Sequence, residues 1–285
     1  MLALLLDGLA TGGLYATVAL GLSLVAGVMR LLNLSQGEFL VGSVYLMLAM
    51  GRYLHVDPFF AVALALPVVF VVAYGVQRGL LQALMDHGGE APLVATFGLS
   101  IAAQALFQVG FGSSAVTLQS DYGLLGVQVL GHPMRAVSLL AMGLGVGLAG
   151  ATHVLLTRTG YGRALRAAAE DPMAAQSLGV DVRHVFALCF ALGAVLTACG
   201  AAVVGLGFSV EPTSGLLWLL RAVAVVVIGG MGSVWGALAA ALLLGLVEEI
   251  GAAVAGPEYC DVIMFGLLVL ILVVRPTGLF GKALR

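Results

Sequence analysis

The chain has 285 residues, of which 61% are apolar and 9% are charged, and its formal net charge is −2. This apolar share is far above that of soluble globular domains, so the composition places the chain in a lipid bilayer. The near-zero charge and the single lysine, Lys282, exclude a basic surface for nucleic acid.

Long apolar runs predict the secondary structure. A helix needs roughly 20 apolar residues to cross about 30 Å of hydrocarbon, so we predict an all-α, polytopic membrane protein with about eight or nine transmembrane helices. The second and seventh runs are short, which leaves the number open. In chain order the predicted spans are 5–29, 39–51, 58–84, 93–111, 135–157, 185–208, 216–228, 234–253 and 261–274.

Arginine positions predict the sidedness of the loops, because short cytoplasmic loops are enriched in Lys and Arg. They place the central loop, residues 158–183, and the carboxyl terminus in the cytoplasm. Counting spans backwards then puts the 78–90 loop inside and the 112–132 loop outside. The cationic residues concerned are Arg158, Arg163, Arg166, Arg183, Arg275, Lys282 and Arg285.

The central loop is a polar island in an otherwise apolar chain, and its sequence predicts two short helices. Gly160 and Gly162 interrupt the preceding span, and residues 163–169 are strong helix formers that end at Glu170. The first helix is therefore expected to stop where the acidic pair begins.

The second short helix is predicted over residues 172–178. Asp171 can cap it, Pro172 suits its first turn, and Gly179 suits the left-handed residue that follows it. Its small apolar side chains would fit a groove on another protein, and an ordinary solvated loop is the alternative.

Four stretches resemble one family in order and spacing along the chain. Residues 162–180 resemble the cytoplasmic EAA loop of ABC importer permeases, in the form found in branched-chain amino acid permeases. Residues 33–39, 227–237 and 275–281 resemble three further motifs of that family. The chain departs from the family pattern at Ser35 and Gln36, where many members carry Ala and His.

The resemblance implies an ABC importer permease fold and one transmembrane domain over residues 1–285, with 158–183 as the coupling loop. It implies pairing with a second, paralogous permease, a heterodimer being favoured over a homodimer. Two ATPase subunits and an extracytoplasmic substrate-binding protein complete the importer in a prokaryotic inner membrane. The residues expected to couple to the ATPases are Gly162, Arg163, Arg166, Glu170, Asp171, Pro172, Ala174, Ala175 and Gly179.

The sequence contains no Walker ATP-binding motif and no catalytic motif, and its one G-x-G-x-x-G spacing, at residues 145–150, lies within a predicted spanning helix with no strand before it. The pattern G-x-x-x-x-G-K-[ST] is missing, and the one lysine lies near the chain end. We therefore expect a transport subunit that is not an enzyme and carries no cofactor, with ATP and Mg bound on the partner ATPases.

Two segments are candidates for the translocation pathway. One is the stretch matched to the family near the start of the second span, where polar side chains precede an apolar run. The other breaks a hydrophobic segment in two, which is typical of a pathway or of a tight turn at a membrane face. The candidate residues are Asn33, Ser35, Gln36, Glu38, Gly229, Gly230, Gly232 and Ser233.

Charged residues inside predicted spans are expected to find partners. Arg221 lies in the seventh span, and Glu248 and Glu249 close the eighth, so an antiparallel helix pair would bring opposite charges together. We predict a structural charge pair, with substrate contact as the alternative.

Small residues four apart predict close helix packing in lipid. The pairs are Gly8 with Gly12, Gly75 with Gly79, Gly143 with Gly147, and Gly232 with Gly236.

Two alternatives to a branched-chain amino acid importer remain at this point. One keeps the ABC mechanism and changes the cargo to urea or a short amide. The other is a secondary transporter or channel that works without an ATPase, which would need a pathway lined by pairing acids.

Overall fold

The computed structural model describes residues 1–55, 57–85, 91–118, 125–129, 131–275 and 278–280. Its helices are α1 (Leu2–Met29), α2 (Gln36–Leu54), α3 (Pro58–Val76), α4 (Gln82–Met85), α5 (Ala91–Phe111), α6 (Ala136–Arg158), α7 (Gly160–Glu170), α8 (Pro172–Ser177), α9 (Val182–Gly207), α10 (Ser214–Gly229), α11 (Val234–Ala255) and α12 (Cys260–Val274). A π-helical turn, Gln77–Leu81, joins α3 to α4, a 3-10 turn, Pro257–Tyr259, precedes α12, and strands β1 (Gly126–Val129) and β2 (His132–Arg135) form a hairpin.

The helices confirm an all-α polytopic membrane protein. Seven of the described helical segments are long and apolar enough to cross a membrane. The two short predicted runs correspond to α2 and α10, which have 19 and 16 residues. The two predicted spans that are not among the seven membrane-crossing segments, α2 and α10, are therefore the same two whose predicted runs were short.

Helix α1 is the centre of the bundle, with 94% of its apolar window buried. It packs against α6, α9, α10 and α11. Contact with α11 is backbone to backbone, since a Cβ added at Gly12 would lie 2.6 Å from the Cα of Leu242 and one at Gly8 would lie 2.9 Å from the Cα of Leu246. Only residues without a side chain permit this approach.

The predicted glycine contacts are confirmed for two pairs and wrong for the other two. Gly232 and Gly236, like Gly8 and Gly12, press against backbone atoms of neighbouring helices. A Cβ at any glycine of the other pairs would meet no atom within 4 Å, because those faces of α3, of the π-helical turn after it and of α6 point away from the bundle. The uncrowded glycines are Gly75, Gly79, Gly143 and Gly147.

One end of the bundle, which we call the hairpin end, carries β1 and β2. Asp7 Oδ2 lies 3.1 Å from His132 Nε2, so α1 begins at this end. Val116 and Val210 form an antiparallel bridge beyond the last residue of α9, so α9 finishes here. The described part of the 112–132 loop therefore lies at the hairpin end.

The opposite end carries α7 and α8, and we call it the loop end. Tyr74 Oη lies 2.9 Å from His184 Nδ1, and Arg78 lies 3.9 Å from Asp181, so the end of α3 meets the start of α9 there. Leu279 N donates to Ile228 O at 2.7 Å, which brings the chain after α12 to the same end.

The loops therefore lie at the same ends of the bundle, relative to one another, as the arginine positions predict. The described part of the 78–90 loop, the central loop and residues 278–280 share the loop end. The residues 86–90 and the cationic Lys282 and Arg285 lie outside the described residues.

Helix α2 begins inside the bundle. Its first residue, Gln36, contacts Gly193 and Thr197, which lie near the middle of α9. Further along, Val44 lies against Gly205 near the hairpin end. Because α2 runs only from the interior to the hairpin end, its apolar stretch is short.

Replacing Gly12 by alanine should destabilise the bundle by about 1–3 kcal/mol, since the new Cβ would overlap backbone of α11. Gly147→Ala is the matched control in α6, where the open space and the helix propensity of alanine predict a neutral or slightly stabilising change. Thermal unfolding of the detergent-purified protein, followed by a thiol-reactive dye on buried Cys189, measures both. Equal midpoints for the two variants would contradict the packing of α1.

Candidate functional site

Helices α7 and α8 form the polar island predicted from the sequence. Asp171 Oδ1 accepts hydrogen bonds from Met173 N at 2.9 Å and Ala174 N at 3.0 Å, and Pro172 is the first residue of α8. Gly179 has a φ of +87°, the left-handed conformation predicted for it. Helix α8 ends at Ser177, one residue before the predicted end.

The start of α7 depends on a cap that the sequence reading missed. Thr159 Oγ1 accepts from Gly162 N at 3.0 Å, and its hydroxyl donates to Leu155 O at 2.6 Å. A threonine before Gly-x-Gly was the available signal, since threonine is a preferred N-cap.

Much of α8 faces outwards. Met173 and Leu178 are 80% and 85% exposed, which is unusual for large apolar side chains outside a contact surface. Of the predicted coupling residues, Gly162 and Ala175 are buried against the bundle. The others are exposed, namely Arg163, Arg166, Glu170, Asp171, Pro172, Ala174 and Gly179.

Helix α7 is fixed to the start of α9. Leu165 and Ala168 are fully buried in a core cluster that includes Phe190 of α9. Tyr161 Oη donates to Val185 O at 3.3 Å, and burial raises the pKa of the Tyr161 phenol, so it remains a donor. Helix α8 therefore follows directly after a helix that is packed against the bundle.

The first group of predicted pathway residues forms a buried polar network at the start of α2. Asn33, Ser35 and Gln36 are at most 2% exposed. Asn33 Oδ1 accepts from Ser35 N at 3.0 Å and from Ser35 Oγ at 2.6 Å, while Asn33 Nδ2 donates to Gln36 Oε1 at 2.9 Å. The loop before α2 is thus held by its own side chains.

Gln36 ties this network to α9. Its Nε2 donates to Gly193 O at 3.1 Å and to Thr197 Oγ1 at 2.6 Å. On the other side, Leu34 N donates to Thr96 Oγ1 of α5 at 3.3 Å. Three helices therefore meet around one set of polar groups in the interior of the bundle.

Glu38 is the charged member of the group. Ser100 Oγ donates to its Oε1 at 3.2 Å, and Oε2 has no hydrogen-bond partner among the residues that the structure describes. Its carboxylate lies against Gly215 in the first turn of α10, where a Cβ would overlap it. A carboxylate oxygen buried without a donor is costly unless a partner supplies the missing contact.

A cavity of about 330 Å³ borders this carboxylate between α2, α3 and α5. Ser35, Glu38 and Ser43 contribute its polar groups. The rest of the wall is apolar and consists of Phe39, Gly42, Leu46, Val68, Val69, Val72, Val76, Leu99, Ala103, Leu106 and Phe107.

The second group of predicted pathway residues lies elsewhere. Gly229 ends α10, Gly230 and Gly232 have φ values of +89° and +81°, and Ser233 Oγ accepts from Gly236 N at 3.1 Å as the cap of α11. Gly232 packs on Gly27 at the loop end of α1. This geometry is that of a tight turn, and the structure does not bring these residues together with Glu38.

The predicted partners of Arg221 need correction. Arg221 Nη2 lies 3.4 Å from Asp261 Oδ1, and its guanidinium lies 5.7 Å from the centre of the Tyr15 ring. Glu248 accepts from the Tyr15 hydroxyl instead, and Glu249 accepts from Thr11 Oγ1 at 3.0 Å. Asp261 is the nearer partner because the turn at Pro257–Tyr259 brings the start of α12 beside α10.

The apolar helical bundle, with its buried polar network and exposed surface helix, defines a polytopic α-helical membrane protein. Residues 4–272 match the family model described as branched-chain amino acid transport system / permease component. The chain therefore belongs to this family of permease components.

Curated relatives match over nearly their whole length. The high-affinity branched-chain amino acid transport system permease protein BraD of Pseudomonas aeruginosa is 31% identical over 98% of this chain and 95% of BraD. The high-affinity branched-chain amino acid transport system permease protein LivH of Escherichia coli is 30% identical over 97% of this chain and 94% of LivH. These matches do not favour a urea permease, a secondary transporter or a channel.

A solved structure shares the fold. PsaBC from Streptococcus pneumoniae in complex with Fab aligns with a TM-score of 0.53, covering 95% of this chain and 91% of that chain. The sequence identity is 13%, so this likeness shows the arrangement of helices alone.

Replacing Gln36 by alanine should lower the stability of the bundle by about 1–3 kcal/mol, because it removes both bonds to α9 and leaves Asn33 Nδ2 buried without its acceptor. Gln128→Ala, on the exposed strand β1, should have no effect. Size-exclusion chromatography after heating the detergent-purified variants measures the loss of folded protein. Equal losses for both variants would show that the network does not hold α2.

Proposed function

We propose that the chain is the permease subunit of an ATP-binding cassette importer that carries branched-chain or related amino acids into a prokaryotic cell. The match of residues 4–272 to the permease family carries this proposal. BraD and LivH, which the chain covers almost completely, are branched-chain amino acid permeases and support the same cargo class.

In this proposal energy comes from separate ATPase subunits, which bind ATP and Mg. The chain itself is one membrane domain without enzymatic activity, and its 158–183 loop is the coupling loop. Helix α8 lies in a groove of the ATPase, and its exposed Met173 and Leu178 supply the apolar contact.

Membership of the family supports the remaining partners in this proposal. A second, paralogous permease completes the translocation unit as a heterodimer, and an extracytoplasmic binding protein delivers the amino acid at the hairpin end. The arginines of the central loop put α8 in the cytoplasm, and the carboxyl terminus is then cytoplasmic as well.

Movement of α8 reaches the interior through α9. Tyr161 of α7 is bonded to Val185 at the start of α9, and Gln36 is bonded to Gly193 further along the same helix. ATP-driven closure of the ATPases tilts α9 and with it the start of α2, which switches the pathway from outward to inward access.

Reconstitution tests the function as a whole. We reconstitute the chain with the second permease and both ATPases in proteoliposomes. ATP is enclosed on the side of the ATPases, and the binding protein is added on the other side. The measurement is uptake of radiolabelled L-leucine and of urea. We expect ATP-dependent leucine uptake, no urea uptake, and no ATP hydrolysis by the purified chain alone. Uptake of leucine by the chain without ATPases would contradict the proposal.

The cap of α8 provides a sharper test of coupling. Asp171→Ala removes the acceptor for two backbone N–H groups and should cost the helix about 1 kcal/mol, reducing leucine uptake while insertion in the membrane is retained. Asp171→Asn keeps a capping oxygen and should transport close to the unsubstituted chain.

The measurement is leucine uptake together with the ATPase rate stimulated by the loaded binding protein. Both should fall in Asp171→Ala and persist in Asp171→Asn. Normal uptake and normal stimulation in Asp171→Ala would remove α8 from the coupling role.

A further inference from the structure

Glu38 is an acid in the interior of a membrane bundle with one oxygen left unpartnered. The residue is 6% exposed, Oε1 has Ser100 as its donor, and Oε2 has none among the described residues. An ionisable group inside a membrane span is expensive and marks a functional position by default. The missing partner is a donor, since an ionised carboxylate only accepts hydrogen bonds.

Two helix amino ends offset part of the cost that burial imposes on a charged Glu38. It is the third residue of α2, and its carboxylate also lies beside Gly215, the second residue of the 16-residue helix α10. The amino ends of both helices carry partial positive charge, which stabilises an anion between them. No arginine, lysine or histidine pairs with Glu38 in the part of the chain that the structure describes.

The lining of the adjoining cavity suits the hydrocarbon side chain of an aliphatic amino acid. Its described lining contains one carboxylate and two serine hydroxyls on an otherwise apolar wall, and no cationic side chain. This combination accepts an ammonium group attached to a branched hydrocarbon body. It does not suit an anion that lacks an ammonium group, because nothing in the wall offers positive side-chain charge, so the α-carboxylate of the amino acid must face away from this wall.

Helix α5 carries a line of polar side chains towards this carboxylate. Thr96, Ser100, Gln104 and Gln108 are four residues apart, so they lie along one gently turning stripe with about 6 Å between steps. Thr96 is fully buried beside Leu34, Ser100 and Gln104 are partly buried, and Gln108 is exposed one turn before the end of α5. The stripe therefore leads from the hairpin end to Glu38.

We propose that Glu38 binds the ammonium group of the amino acid during translocation, that the adjoining cavity holds its aliphatic side chain, and that the α5 stripe lines the route from the hairpin end. This inference rests on the proposed function, because it takes an amino acid as the cargo. Glu38 Oε2 accepts the ammonium proton donors that the folded chain itself does not provide.

The first experiment compares two carboxylates in the reconstituted importer. Glu38→Gln should reduce ATP-dependent L-leucine uptake at least about tenfold, the loss expected when one charge-assisted contact of about 1.5 kcal/mol or more is removed. Glu249→Gln is the matched control, since Glu249 is another acid within an apolar helix, partly buried, but it bonds to Thr11 away from the cavity. It should retain uptake.

A second measurement separates recognition from folding. Gln104→Cys is labelled in membranes with a positively charged thiol reagent, and Val146→Cys on the exposed face of α6 is the lipid-facing control. We expect labelling of Gln104→Cys alone, above the background of the three native cysteines. L-leucine should slow it, whereas 4-methylpentanoate, which has the same aliphatic body without the ammonium group, should not.

Protection by leucine should disappear when Glu38→Gln is added to Gln104→Cys. Equal protection by leucine and 4-methylpentanoate, or leucine uptake by Glu38→Gln at the unsubstituted rate, would overturn the ammonium site while leaving the importer proposal intact. Failure of the unsubstituted importer to take up leucine would instead overturn the proposed function, and the ammonium site with it.

Discussion

The hydrogen bonds of Gln36 to α9 are the interaction on which the interior of this protein depends. A helix that begins inside a membrane bundle leaves backbone and side-chain polar groups away from water, and each must be satisfied by protein. Gln36 meets that requirement through Gly193 O and Thr197 Oγ1, while Asn33 and Ser35 satisfy the preceding loop. Because the start of α2 is fixed in this way, Glu38 lies in the interior beside α5 and α10.

Helix α9 connects the two functional regions of the molecule. Its first turns hold α7 through Tyr161 and the core around Leu165, and its middle holds Gln36. A continuous helix of 26 residues is stiff over that distance, so in the proposed function it carries a displacement of α8 to the start of α2. This is the route by which we propose that α8 acts on the buried Glu38 carboxylate.

Close packing of α1 against its neighbours holds the centre of the bundle together. Lipid offers no hydrophobic driving force between helices, so association rests on van der Waals contact and hydrogen bonds. Gly8 and Gly12 give α1 and α11 backbone contact. The same motif fails to predict contact at Gly75 and Gly143, since a small-residue pair permits close approach without saying which face meets a neighbour.

The sequence by itself determined the features that depend on local chemistry. Apolar length predicted the spans, and Asp171, Pro172 and Gly179 predicted α8 and both of its ends, because caps and turns act over a few residues. Only the tertiary structure decided which distant groups meet. Asp261 became the partner of Arg221 in place of Glu248, Gly229–Ser233 became a turn away from Glu38, and Ser100 and Thr96 joined the α2 network. Those outcomes depend on the rotation and depth of each helix, which the packing of the whole bundle sets.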